Sequence, residues 1–311
     1  MIKRYSWLLI LILAAGRTAA QLTEQAVTQV AAQPVPQKED KFRVQVFTGY
    51  EQENFRWSIA GNSAGQDPNV YSELKWQAVS GISGSVDLQW EAGKRWRFFA
   101  SGSRTFTRWG SMTDTDYGLD NRNDQLYHQQ FNVTGGHSEA VSAGIGYCLP
   151  GSGPFRLTPF IGYSIHEQYF PIVDPGGAYA QLNSSYSAKW LGPLVRVDAS
   201  WQLSGHWQLS AEETYDQVLY RASADWNLIQ EFSHPVSFRH HADGYGAEGE
   251  FRLHYTGGRH IGITLAADYF NRETGTGIDV LYLNTGQSQQ TQLNGVRTDG
   301  FGVRLGSELR F

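Results

Sequence analysis

The strongest constraint on this chain is a two-residue alternation of apolar and polar side chains that begins near residue 42. The last segment shows it most clearly, with one face made of Phe301, Val303, Leu305, Leu309 and Phe311. The opposite face is made of Gly302, Arg304, Gly306, Glu308 and Arg310. An extended strand with two such faces separates an apolar environment from a polar one. The pattern therefore predicts an all-β fold.

Connections of two lengths alternate between the predicted strands. Four short turns fall near residues 91–94, 151–154, 204–206 and 257–259, and five long polar stretches fall near 59–70, 109–125, 173–184, 223–241 and 272–296. This arrangement requires ten strands, and short turns on one side with long loops on the other are typical of bacterial outer-membrane barrels. A soluble sandwich has no reason to sort its loops by length.

We therefore predict a ten-stranded antiparallel transmembrane β-barrel over residues 42–311, in the bacterial outer membrane, with long extracellular loops and short periplasmic turns. The strands have more residues than the bilayer requires, so the barrel should stand above the membrane on its outer side. The polar strand faces should line the lumen with Arg43, Arg97, Arg304, Glu308 and Arg310. Tryptophans near strand ends are expected to form the aromatic girdle at the membrane surfaces, namely Trp76, Trp90, Trp96, Trp190, Trp201 and Trp207.

The N-terminal residues and the composition agree with export. Residues 1–20 have a basic start, a short apolar core and small residues before Gln21, as in a secretory signal peptide. Residues 21–41 are rich in Gln and are predicted to form a flexible arm. A net charge of −5 argues against a nucleic-acid partner, and the single cysteine excludes a disulfide framework.

Asp114 and Asp116 are the sharpest candidates for chemistry. Residues two apart on a strand point the same way, so the two carboxylates can share one site. Like charges that close raise the pKa of one group, and such a pair can hold a proton or a water for hydrolysis. A solvated acidic loop with a loosely bound cation is the alternative.

The segments around this pair resemble the omptin family of outer-membrane proteases. The resemblance rests on residues 71–76 (YSELKW) and, one strand later, on residues 110–117 (GSMTDTDY). It implies a ten-stranded barrel that needs no cofactor or metal. It also implies an Asp–Asp pair and an Asp–His pair that hold the attacking water between them across a groove. Asp114 and Asp116 match the Asp–Asp pair.

The Asp–His pair is not found where the resemblance would place it, at the outer end of the seventh strand. An ungapped alignment puts the Asp on Trp226 and the His on Leu228, and a one-residue slip puts them on Asp225 and Asn227. Phe55 and Ala224 stand where the family carries acidic residues that bind a basic substrate side chain. Loss of a general base typically removes a factor of about 10² to 10⁴ in rate. Whether the chain is an enzyme is therefore left open.

Two further sets of residues have alternative interpretations. His234, His240 and His241 lie in or just after a long loop, and one of them could fold back toward Asp114 or all could be exposed loop residues. Lys189 matches a position at which omptins bind the phosphates of lipopolysaccharide. A second such site, after Tyr163, has no arginine here, so Lys189 could also be an interfacial lysine without a ligand.

The function that these patterns favour is an omptin-like outer-membrane barrel without standard peptidase activity. It would act through its surface loops in adhesion or in a structural role, with outer-membrane lipid or lipopolysaccharide and an extracellular protein or peptide as partners. The alternative is an endopeptidase that uses Asp114 and Asp116 with a non-standard base. A small pore is a third hypothesis, which a lumen filled by side chains disfavours.

Overall fold

The computed structural model describes residues 41–174, 176–258 and 260–311. The predicted signal peptide over 1–20 and nearly all of the predicted arm over 21–41 lie outside these residues. No helix in the described part of the chain is long and apolar enough to cross a membrane. The elements are β1 Phe42–Ile59, β2 Ser72–Ala92, β3 Trp96–Leu119, a 3-10 helix Asp120–Arg122, β4 Asn123–Asn132, β5 His137–Tyr147, β6 Phe155–Val173, β7 Asn183–Gln202, β8 Trp207–Asp225, β9 Phe238–Thr256, β10 Ile261–Thr274, β11 Gly277–Tyr282 and β12 Ser288–Arg310.

The strands form one closed antiparallel sheet. Each strand pairs with its neighbours, and β12 returns to pair with β1. β4 and β5 both pair with β3, β4 along its outer half and β5 along its inner half. β10 and β11 both pair with β9 and β12 in the same way. β4 and β5 together form one interrupted barrel strand, and β10 and β11 form another. The twelve segments therefore make ten barrel strands, as predicted.

The barrel extends well beyond the membrane on its outer side. β1, β2 and β3 contain 18, 21 and 24 residues, against the roughly 9–11 that cross a bilayer. The prediction that 109–125 and 272–296 are loops is wrong for most of their length, since β3, β4, β10, β11 and β12 run through them. Above the membrane water reaches the outer face as well, so the apolar alternation fades although the strands continue.

Four of the six tryptophans assigned to the girdle are exposed on the outward face near the inner strand ends, namely Trp90, Trp96, Trp201 and Trp207. The assignment is wrong for Trp76 and Trp190, which are fully buried. Both lie on the lumen face, since each alternates with an outward lysine, Lys75 and Lys189.

Within the membrane-spanning part, the lumen is lined by paired charges. Arg252 Nη2 lies 2.8 Å from Asp87 Oδ2, and Arg304 Nη2 lies 3.0 Å from Asp268 Oδ1. The residues predicted to line the lumen are all in this network, since Arg97 pairs with Glu91 while Arg43 and Arg310 pair with Glu308. The charges neutralise one another, which makes their burial tolerable.

Above this polar layer, the lumen is closed by a cluster that we call the aromatic plug, made of Phe55, Trp57, Trp76, Phe170, Tyr186, Trp190, Tyr220, Phe238 and His240. The ring centroids of Trp57 and Tyr186 are 5.6 Å apart, and those of Trp76 and Tyr186 are 5.4 Å apart. β1 and β2 thus contact β7 across the barrel interior. The plug separates the lumen from the outer rim.

We expect the plug to be a main source of barrel stability. Trp76→Ala should lower the free energy of unfolding by about 3–5 kcal/mol, because it leaves a large cavity among packed rings. Trp109→Ala, at a tryptophan that is 60% exposed on the same sheet, is the matched control and should cost much less. Denaturant unfolding of the refolded barrel in lipid vesicles measures both. Equal losses would show that the plug does not carry this stability.

Candidate functional site

Asp114 and Asp116 lie on the outer half of β3, with their side chains on the lumen side. A bulge at Gly110 sets this orientation, since inward residues have odd numbers below it, as at Thr107, and even numbers above it, as at Met112. Gly110 has φ +151°, and a Cβ there would lie 2.9 Å from the Cα of Val79. Glycine is needed for the bulge, and the bulge turns both carboxylates inward.

Burial raises the pKa of both aspartates of the pair. Burial, and then the charge of Asp116, raise the pKa of Asp114 to about 7. Burial also raises the pKa of Asp116, while a hydrogen bond from the Ser72 hydroxyl opposes this rise. Burial and the nearby Asp114 raise the pKa of Tyr127 to about 12, so its phenol stays protonated. The prediction of a coupled pair is consistent with this geometry.

The surroundings of the pair are aromatic and apolar. Tyr127 stands opposite Asp116 on β4, and Leu74 on β2 stands opposite Asp114. Beside them, the rings of Phe131 and Tyr179 are 6.1 Å apart. Within the described ranges, no histidine, lysine or arginine forms a hydrogen bond or ion pair with either carboxylate. The general base that the resemblance requires is therefore not beside the pair.

Asp225 does contact a histidine, although the sequence alignment supplied none. Its Oδ1 lies 2.6 Å from Nδ1 of His234. Ala224 is buried on the lumen side, so the side chain of Asp225 points to the outer face of β8. Trp226, at the aligned Asp position, packs against the aromatic plug with its ring 4.9 Å from Phe238. The Asp225–His234 pair is thus directed away from the interior that Asp114 faces.

The contact between Asp225 and His234 depends on the return of the loop. Phe238 on β9 pairs with Ala224 on β8, so the loop between them folds back over the end of β8. A separation of nine residues has no strand periodicity that would suggest this contact. The only usable signal was the short distance in sequence to the start of the next strand.

His240 lies inside the aromatic plug and is fully buried. Its Nδ1 is 2.8 Å from Oη of Tyr186, which is 2.6 Å from Oη of Tyr220. Its Nε2 is 3.2 Å from Oδ1 of Asp279 on β11. The hydrogen bonds among Tyr220, Tyr186 and His240 give polar partners to these side chains inside an apolar cluster, whereas Nε2 of His240 forms no hydrogen bond with a described residue. His240 is enclosed by the plug and does not contact Asp114. His241 points outward on the exposed face of β9.

Lys189 points outward on β7 and forms an ion pair with Glu167. Arg221 is its register partner on β8, and Arg239 lies on the outward face of β9. We call Lys189, Arg221 and Arg239 the outer cationic patch. Burial, and then Arg221 and Arg239, lower the pKa of the neighbouring His241, which favours its neutral form. In the described part of the chain, no group of three or more His, Cys, Asp or Glu is placed to hold a metal ion.

The comparisons with known proteins agree with this architecture. A sequence profile described as Protochlamydia outer membrane protein matches residues 45–311. The outer membrane protease OmpT of Escherichia coli has a similar crystal structure, with TM-score 0.73 and 13% identity over 90% of this chain and 99% of that chain. The translocator domain of the autotransporter NalP of Neisseria meningitidis matches with a TM-score of 0.40 and 10% identity over 96% of this chain and 98% of that chain. No curated protein sequence matches the chain.

The raised pKa of Asp114 should make the barrel less stable as the pH rises. The folded state keeps a proton up to about pH 7 that the unfolded chain loses near pH 4, so stability falls between these values. One pKa unit corresponds to about 1.4 kcal/mol. Wild type should therefore lose about 2–3 kcal/mol between pH 5 and pH 8 that Asp114→Asn does not lose. Denaturant midpoints at the two pH values measure this, and parallel losses in both proteins would contradict it.

Proposed function

The chain belongs to the Protochlamydia outer membrane protein family and has an omptin-like barrel fold, and on this basis we propose that it is a surface barrel without omptin-type peptidase activity. It would act through its outer rim, in adhesion or as a structural component of the outer membrane.

The observation that carries this proposal is the aromatic plug. An omptin-type reaction needs an open groove with catalytic groups on both walls, and here opposite walls meet through Trp57, Trp76 and Tyr186. Trp226 fills the position of the aligned Asp. The Asp225–His234 pair is on the outer face of its strand. Asp114 and Asp116 therefore lack a base opposite them.

The plug also gives no support to the pore hypothesis, because it closes the lumen below the rim. The rim itself offers contact surface. Leu119 and Leu126, at the tip of the β3–β4 hairpin, are 60% and 63% exposed. Exposed apolar side chains at the tip of a protruding hairpin are suited to contact with an extracellular protein.

One observation favours the alternative of an endopeptidase. A general base works best when its pKa is near the working pH, and that of Asp114 is about 7. The Asp114/Asp116 pair could then activate a water by itself, with Tyr127 as a hydrogen-bond donor. The rate should be low, since no group on the opposite wall orients the water.

Peptide cleavage by the refolded protein separates the two functions. We expect no cleavage of basic or non-basic peptides above the level of the Asp114→Asn variant, with or without lipopolysaccharide. Cleavage that Asp114→Asn abolishes would establish the endopeptidase instead, and His234→Ala would then test whether the Asp225–His234 pair takes part. A circular dichroism spectrum of each variant controls for folding.

We further propose that the outer cationic patch binds lipid phosphate, as in lipopolysaccharide. Lys189 lies thirteen residues from the inner end of β7 and Arg221 fourteen from that of β8, so both lie near the level of the outer headgroups. Two adjacent cations on neighbouring strands can contact one phosphate. Glu167 neutralises part of the charge, which limits the affinity.

The double variant Lys189→Ala/Arg221→Ala should bind lipopolysaccharide about 10- to 30-fold more weakly. Each basic residue near an anionic lipid surface contributes about 1 kcal/mol. Lys94→Ala, on the inner turn, is the matched control and should bind like wild type. Titration of the refolded proteins with fluorescent lipopolysaccharide measures the affinities. Unchanged binding by the double variant would exclude the patch as a phosphate site.

A further inference from the structure

Glu213 on β8 places a carboxylate on the lipid-facing side of the barrel. Thr214 and Asp216 are buried in the lumen, so the alternating Glu213 and Tyr215 point outward. A Cβ added to Gly249 on β9 would lie 3.1 Å from Oε2 of Glu213. The carboxylate therefore extends over the outward side of Gly249, its register partner. Glu213 is exposed at this position.

This position lies inside the apolar belt. Glu213 comes six residues after Trp207 of the inner aromatic ring and two residues before Tyr215. With a rise of about 3.3 Å per residue and a tilt of about 40°, it lies roughly 15 Å above that ring. An acidic side chain at this depth is unfavourable in contact with lipid. Its presence needs a partner that the lipid tails cannot supply.

The barrel contains one cation in the same belt among the described residues. Arg104 on β3 points outward eight residues after Trp96, and its Nη1 lies 2.6 Å from Oε1 of Glu139 on β5. Its guanidinium carbon is 5.0 Å from the Phe106 ring centroid. The carboxylate of Glu139 is therefore neutralised within the chain. Glu213, by contrast, forms no hydrogen bond or ion pair with any described residue.

We infer that Glu213 of one copy pairs with Arg104 of a second copy, which joins barrels side by side in the membrane. A guanidinium has five N–H donors, so Arg104 can bond a second carboxylate while it keeps Glu139. The Arg104 side chain is 48% exposed and can be reached from the lipid. The two groups differ in depth by only about 5 Å at the same rise and tilt, which a flexible arginine can span.

Both surfaces carry small residues beside larger apolar ones. Ala100, Gly102 and Ala143 lie near Arg104 together with Phe106 and Val141, and Ala211, Ala247 and Gly249 lie near Glu213 together with Val197 and Tyr215. Interfaces between membrane segments are enriched in small residues because backbones can then pack closely. The Arg104 surface lies on β3 and β5 and the Glu213 surface on β8. The contact is therefore head-to-tail and can extend into rows or close into a ring.

Energy transfer between labelled barrels in lipid vesicles tests the contact. Cys148, the single cysteine, directly follows the inner end of β5, nine residues after Glu139, and carries either a donor or an acceptor dye. Wild type should show transfer above that of randomly placed barrels, and Glu213→Leu should fall to the random level. Leucine suits the lipid, so this variant should fold. Asp243→Asn, at an outward acid on β9 above the belt, is the matched control and should behave like wild type.

Complementation gives the decisive measurement. The double variant Arg104→Leu/Glu139→Leu keeps Glu213, and Glu213→Leu keeps Arg104, so neither should associate alone. When donor-labelled Arg104→Leu/Glu139→Leu and acceptor-labelled Glu213→Leu are mixed in the same vesicles, they should form pairs. Energy transfer should then return. Random transfer in wild type, unchanged transfer in Glu213→Leu, or no recovery in the mixture would each overturn the inference. The test does not depend on peptidase activity or on lipopolysaccharide binding.

Discussion

The pairing of β12 with β1 is the interaction on which the rest of the structure depends. Lipid tails offer no hydrogen bonds, so a sheet can cross the bilayer only when every edge is paired. Residues 43–59 of β1 take part in this seam, from Arg43 opposite Arg310 to Ile59 opposite Leu293. Once the ring is closed, each strand has one face toward lipid and one toward the lumen. The strand face on which a side chain lies then decides whether it joins the polar layer or the aromatic plug, or points outward. The same holds for every candidate residue.

The closed ring explains why the fold could be predicted from the sequence and why several details could not. Alternation is visible where lipid and lumen differ, as from Phe301 to Leu309, and it predicts an all-β fold, while the alternation of short and long connections predicts ten strands. Above the membrane the lumen itself becomes apolar, so Trp76 and Trp190 resemble girdle residues although they are buried. The strand β3 continues through 109–119 with polar residues on both faces and was predicted as a loop. The polarity of a residue indicates the environment of its strand face. A tryptophan is equally suited to the membrane surface and to the aromatic plug, so the sequence pattern does not distinguish the two.

The candidate site also has one part that strand periodicity predicts and one part that it does not. Asp114 and Asp116 could be predicted as a pair because a spacing of two on a strand puts them on one face, and the bulge at Gly110 turns that face inward. The contact between Asp225 and His234 could not be predicted, because it depends on the path of a loop. Its outward direction could not be read from the alignment either. A residue type at an aligned position carries chemistry only if its strand face is the right one.

The charged side chains of this barrel differ in whether they find a partner within the same chain. In the lumen, acidic groups such as Glu308 and Asp268 have arginine partners within the chain. Asp114 and Asp116 have no cationic partner among the described residues, and burial together with the charge of Asp116 raises the pKa of Asp114 to about 7, which favours its protonated form. Glu213 has no cationic partner and no neighbouring carboxylate on its face of the barrel among the described residues. It faces the lipid, where an unpaired carboxylate is most unfavourable. The simplest way to satisfy it is a second protein surface at the same depth, and the chain itself carries such a surface around Arg104.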